Sequence, residues 1–170
     1  MQLPYSEELN IGYLSKLFEN TTNCYKFFWF QAILRKMDGV RSRFTFDELI
    51  NEMIADAWYM VTEYHLRLGP LGITDNLEEV VKYIHEKYRF APAEKQEKIL
   101  EFLQEVEDKR IIKYKSDLTL NVPYRLQGRH VGREAEYSAH RTGYADQSVQ
   151  CNHIYRDSII ILPALRKFRT

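Results

Sequence analysis

"TFDELINEMIADAWYMVTEYHLRLGPLG", residues 45–72, is the stretch that decides the fold. Thr45 and Glu48 stand at the spacing of a capping box, in which each side chain satisfies a backbone amide of the other's residue. From there Phe46, Leu49, Ile50, Met53, Ile54, Ala57, Met60, Val61 and Tyr64 recur at a period of 3.6, the pattern of a helix with one buried stripe. Glu48, Glu52, Asp56 and Glu63 fall on the other side, which predicts a solvated acidic face. Gly69 and Pro70, within "LGPLG" (68–72), predict where the helix stops.

Neighbouring segments repeat this logic. "CYKFFWFQAILRKM" (24–37) carries apolar side chains around most of a helix's circumference, from Phe27 to Met37, which predicts the central helix of a bundle, ended at Asp38-Gly39. Ahead of it, Ser6 can cap a helix whose face holds Ile11, Leu14, Leu17 and Phe18, followed by the polar break "ENTTN" (19–23). On the far side, "DNLEEVVKYIHEKY" (75–88) places Leu77, Val80, Val81, Ile84 and Tyr88 on one face. A start at Pro92 leads into a stripe of Ile99, Leu100, Phe102, Leu103 and Val106, supported by a Glu94–Lys98 pair. Residues 110–127 alternate in "IIKYK" and "LTLNV", which predicts short strands or an extended arm, with Pro123 arguing against a central strand.

The text changes at Gly128. Residues 1–127 hold 17 Lys and Arg against 20 Asp and Glu; residues 128–170 hold 7 against 4, with six of the seven being Arg, and three of the five His. That shift predicts a boundary between a helical domain, 1–127, and a divergent tail or arm, 128–170. Within the tail, 134–137 suits a helical turn, and "SIIILPALRKF" (158–168) suits a strand, a short helix or a docking segment.

Composition narrows the class. Apolar residues make up 45% of the 170, and 14% are aromatic, so a sizeable core is affordable. Net charge is zero, which gives no nucleic-acid footprint over the chain as a whole. Two cysteines, Cys24 and Cys151, fit a reducing compartment better than a disulfide scaffold. The N-terminus lacks the basic-then-apolar order of a signal peptide, and no run is long enough to span a bilayer. The expectation is a cytoplasmic protein that does not enter a membrane.

Motifs of chemistry are sparse. The row Glu48, Glu52, Asp56 would need Glu-x-x-His partners to resemble a di-metal bundle, and the sequence contains none. His65 and His85 sit at the edges of helical stripes without a paired carboxylate or nucleophile in the local text. His130, His140, Cys151 and His153 are the one grouping of metal-ligand types, at spacings unlike the usual zinc steps. No phosphate loop, dinucleotide fingerprint or nucleophile elbow occurs. The tail arginines, Arg129, Arg133 and Arg141 first among them, are candidate phosphate contacts.

Three stretches, "MQLPYSEELNIGYLSKLFENTTNCYKFFWFQAILRKM", "FTFDELINEMIADAWYMVTEYHLRLGP" and "LTLNVPYRLQ", resemble the N-terminal region of HNH endonuclease-domain proteins of gut anaerobes. The resemblance covers about residues 1–127. It implies a helical region ahead of a nuclease module that carries an Asp-His pair, an Asn and a further His or Asn, with a divalent metal. None of those catalytic residues maps onto this chain: Asn152-His153 is the nearest text, and only 17 residues follow it. The metal is therefore expected only for the module that is missing, and no cofactor for this chain. A truncated or frame-shifted continuation and a genuine divergent arm both account for the text after Gly128.

The expected fold is mainly α: a single bundle-like domain of about five helices with an irregular or α/β C-terminal extension. The expected function is a helical region that positions DNA or a partner and does not cut alone. The alternatives are a helical protein-interaction module and a small metal enzyme built on the tail histidines.

Overall fold

A computed structural model describes residues 24–37, 41, 43–73 and 75–121, together with the backbone of 159–161. The fold is mainly α. The described elements are α1 (Tyr25–Lys36), β1 (Arg43–Thr45), α2 (Phe46–Thr62), α3 (Asn76–Tyr88), α4 (Gln96–Glu105), α5 (Lys109–Thr119) and β2 (Ile159–Ile161). The helix expected around Ile11–Phe18 and the helical turn at 134–137 lie outside the described residues.

The capping box forms as the sequence dictates. Glu48 N donates to Thr45 Oγ1 at 3.1 Å, and Thr45 N donates to Glu48 Oε2 at 2.8 Å. Arg41 adds a 2.8 Å ion pair to Glu48, and the two amide and guanidinium partners outweigh the upward push of burial, so the carboxyl lies below its ordinary pKa. The helix these bonds start is the hub of the body: α2 packs against α1, α3, α4 and α5, and α3 also packs against α5. Leu49, Ile50, Met53, Ile54 and Ala57 are wholly buried, and Trp58 nearly so. Trp58 Nε1 donates to the carbonyl of Ala91 at 3.1 Å, which gives its ring a polar anchor inside the core.

The centre of the bundle is therefore α2 and not the aromatic α1. Phe27 and Leu34, two of the side chains that made α1 read as apolar all round, are each more than half exposed. Phe28, Trp29, Ala32 and Ile33 supply its one buried face.

A second correction concerns residues 110–127. The alternation there predicts strands, and the structure instead forms α5 over Lys109–Thr119. Asp108 caps it by accepting from Arg110 N at 2.8 Å, and Ile111, Lys115 and Leu118 take the inner face at helical spacing. The cap residue also accepts from Lys87 Nζ (2.6 Å), Tyr83 Oη and Tyr88 Oη (both 3.0 Å), which bolts α5 to α3. Residues 122–127 lie outside the described residues.

Helix ends follow local chemistry more than the Gly and Pro signals. α2 stops at Thr62, ahead of Gly69: His65 takes a left-handed conformation (φ 52°) and Leu66 N folds back onto the carbonyl of Met60 at 2.9 Å. α3 stops in the same way at Arg89 (φ 60°). Pro92 sits in a turn and not at a helix start; α4 begins at Gln96, and the expected Glu94–Lys98 pair forms at 2.8 Å. Of the 158–168 segment, residues 159–161 take the strand option, antiparallel to β1 with Phe44 opposite Ile160.

Candidate functional site

The tail candidates cannot be placed: His130, His140, Cys151, His153, Arg129, Arg133, Arg141 and the Asn152-His153 pair lie outside the described residues. Among the described residues no group of three or more His, Cys, Asp or Glu side chains is arranged to hold a metal ion. Nor is any helix among them long and apolar enough to cross a membrane.

The acidic row on α2 is not the solvated face its periodicity predicts. Glu52 and Asp56 are turned against α1, where Lys36 Nζ lies 2.9 Å from Glu52 and Arg35 lies 3.0 Å from Asp56. Gln96 of α4 donates to the same Asp56 oxygen at 2.7 Å. The Asp56 carboxylate is 1% exposed, and burial raises its pKa against the pull of Arg35. These acids bind helix to helix. The sequence signal was present in Arg35 and Lys36, the two cations at the end of α1.

His85 also has a structural role, with Nδ1 2.9 Å from the carbonyl of Phe90 and its ring edge-on to Trp58. His65 differs. It is exposed, and it lies on the rim of a cleft of about 390 Å³ between the loop 63–75 and the first turns of α3. Val61, Arg67, Ile73, Asp75, Glu79 and Lys82 are among its walls.

Asp75 is the hinge of this corner. Its Oδ1 accepts from Leu77 N (3.0 Å) and Glu78 N (3.1 Å), capping α3. Its Oδ2 is buried against Gly69. Burial lifts the Asp75 pKa, and the amides of Glu78 and Leu77 and the Tyr25 hydroxyl oppose that lift only in part. Glu78 next to it is held below its ordinary pKa despite burial, by Lys82, by the Leu68 amide and by Arg67. Behind the cleft, Tyr25 Oη accepts from Asn76 N at 2.9 Å, and Cys24 Sγ donates to the carbonyl of Leu68 at 3.1 Å. Burial and then the Asp75 charge push the Cys24 thiol up to about 12, so it acts as a packed donor and not as an activated nucleophile.

The end of α2 and the loop after it carry several exposed apolar side chains. Tyr59, Met60, Tyr64, Leu66, Leu71 and Ile73 are all exposed, Leu71 by 85%. Met60 and Tyr64 belong by sequence to the buried stripe of α2, but Met60 is exposed within the helix's last turn and Tyr64 lies beyond its end. Tyr59 and Tyr64 stack edge to face at 5.1 Å. Sequence periodicity missed this patch because it counts apolar residues as core wherever they fit the period. The usable signal was the concentration of Leu and Ile around Gly69, Pro70 and Gly72, a turn that has no face to bury them. Comparison with family models, with curated proteins and with solved structures returned no match for this chain.

Proposed function

We propose that this chain is a helical protein-interaction module that binds through the corner between α2 and α3. One observation carries the reading: six large apolar or aromatic side chains, Tyr59, Met60, Tyr64, Leu66, Leu71 and Ile73, are exposed around one loop and its preceding helix end. Large apolar side chains left exposed near one another in a chain mark recognition sites, and tyrosine and methionine are enriched in them. Leu68 in this loop is held from behind, by Cys24 on its carbonyl and by Glu78, which accepts from Leu68 N at 3.1 Å, so this point of the loop needs little ordering on binding.

The DNA-positioning role implied by the resemblance to HNH proteins has less support. Arg35, Lys36, Arg41, Lys82, Lys87, Lys98 and Lys115 are each in an ion pair with a carboxylate of the same body. Phosphate contacts by these cations would have to displace them.

The test is site-specific crosslinking in cells that express the full chain. A photoreactive residue at Leu71 gives a discrete protein adduct, and the same residue at exposed Glu101 on α4 gives none. Equal labelling at both positions, or none at Leu71, rejects the reading. Binding to duplex DNA that weakens steeply with salt favours the DNA role instead.

A further inference from the structure

We propose that the end of α2 docks a second copy of this chain about a two-fold axis, with Glu63 of each copy opposite Arg67 of the other. The inference rests on the interaction reading above and names the partner.

The local fold gathers the contact. α2 ends at Thr62, and the chain then turns back on it. Glu63 N and Tyr64 N both donate to the carbonyl of Tyr59, at 3.1 and 3.3 Å, and Leu66 N donates to that of Met60 at 2.9 Å. The turn sets the Tyr64 ring edge to face against Tyr59 at 5.1 Å. Tyr59, Met60, Tyr64 and Leu66 are all exposed. Glu63 stands before the stretch 64–66 and Arg67 after it. Both are exposed, and neither makes a hydrogen bond or an ion pair with the described residues. Arg67 reaches Glu78 through its field alone, and Glu78 already has Lys82 and the Leu68 amide.

Charge decides the occupant. A turn shaped for a strongly charged partner would carry one sign in excess. This one carries one exposed carboxylate and one exposed guanidinium, with apolar side chains between them. Its own copy, rotated by half a turn, presents the opposite sign at each end. In such a contact residue i meets j while j meets i, so one kind of pairing forms twice. The net charge of the chain is zero, so no overall repulsion opposes the approach of two copies. Between the two charge pairs, the tyrosines, Met60 and Leu66 supply the apolar centre that homodimer contacts have. A purely acidic or purely basic partner would meet one of the two charges with like sign.

Sedimentation equilibrium of the purified full chain, with reductant present, tests this by charge exchange. The parent chain should show a monomer–dimer equilibrium. Glu63→Arg and Arg67→Glu should each weaken the dimer about tenfold, since each replaces two partly solvated pairs by two repulsions. An equal mixture of the two variants should recover dimer as heterodimers, because each then meets its opposite charge in the other; recovery also shows that both variants are folded. A parent chain that stays monomeric at millimolar concentration overturns the proposal. So do single variants that dimerise as the parent does, or a mixture no stronger than its components. A monomeric parent whose Leu71 probe still captures a different protein in cells overturns the second copy and leaves the interaction reading standing.

Discussion

Lys115 Nζ lies 3.2 Å from Asp47 Oδ1, joining the last helix of the described body to the first turn of its central one across 68 residues of sequence. The same ammonium donates to the carbonyl of Leu103 at 2.8 Å, so one side chain, 4% exposed, ties α5 to both α2 and α4. A buried ammonium persists only when acceptors surround it. Lys115→Ala is expected to lower stability by about 2–3 kcal/mol, the scale for a charged hydrogen-bonding group lost from the interior. Lys115→Met keeps the apolar stem and should cost less. Urea unfolding of the two variants checks this; a loss under about 0.5 kcal/mol for Lys115→Ala, the range of an ordinary surface change, would remove the lysine as a tie.

Gly69 faces Asp75 closely. A Cβ at Gly69 would stand 3.1 Å from Asp75 Cβ and 3.2 Å from Oδ2. Elsewhere, exchanging Gly for Ala can stabilise a chain by about 0.4–1 kcal/mol through the unfolded state. Here the neighbour has no room to yield, because it is buried and its other oxygen holds two amides. Gly69→Ala is therefore expected to destabilise, by about 1–2 kcal/mol as overpacking does. A thermal midpoint at or above that of the parent protein would show that the loop moves freely.

Acid should loosen the junction of α3 and α5. Burial works to raise the Asp108 carboxyl, but Lys87, the Arg110 amide, Tyr83 and Tyr88 outweigh it and hold the group well below the usual carboxylate range. A depressed folded value gives stability that is complete above the unfolded value of about 3.9 and is lost as pH falls below it toward the folded one. Asp75 and Asp56 have raised values and act in the opposite sense, gaining stability as pH falls through them. Asp108→Asn should be less stable at neutral pH and should lack the steep acid loss below pH about 4. Parallel pH profiles for the variant and the parent protein would contradict this assignment.

Legibility from sequence followed how local each cause is. The capping box, the Asp75-led start of α3 and the Glu94–Lys98 pair depend on residues within four positions, and all were readable. α5 was not: Lys115 occupies its inner face between Ile111 and Leu118, so a true helical stripe carried a charge where a period count expects an apolar residue. Its acceptors, Asp47 and Leu103, come from elsewhere in the chain. The acids at Glu52 and Asp56 failed for the same reason, since only the docking of α1 shows that Lys36 and Arg35 wait opposite them. For the corner proposed as the binding site, sequence supplied the apolar residues but not their exposure: Tyr59 and Met60 are exposed in the last turn of α2, and Tyr64 to Ile73 follow its end ahead of and within the Gly-Pro turn.

The two left-handed helix ends allow a last test. Arg89 closes α3 at φ 60° and ψ 28°, and its exposed side chain makes no hydrogen bond or ion pair. A residue with a Cβ in that region bears about 1–2 kcal/mol of strain, and glycine is the ordinary occupant. Glycine also has the larger unfolded-state entropy, which offsets part of the relief. Arg89→Gly should thus raise stability by about 0.5–1 kcal/mol, or a few degrees in Tm for a body of this size. Glu86→Gly, three residues earlier on the exposed side of the same helix, supplies the contrast: its helical backbone has no strain to release, so it should lose about 1 kcal/mol. Equal losses in both variants would mean that Arg89 is held by something other than its backbone turn, and the account of how α3 ends would have to be redrawn.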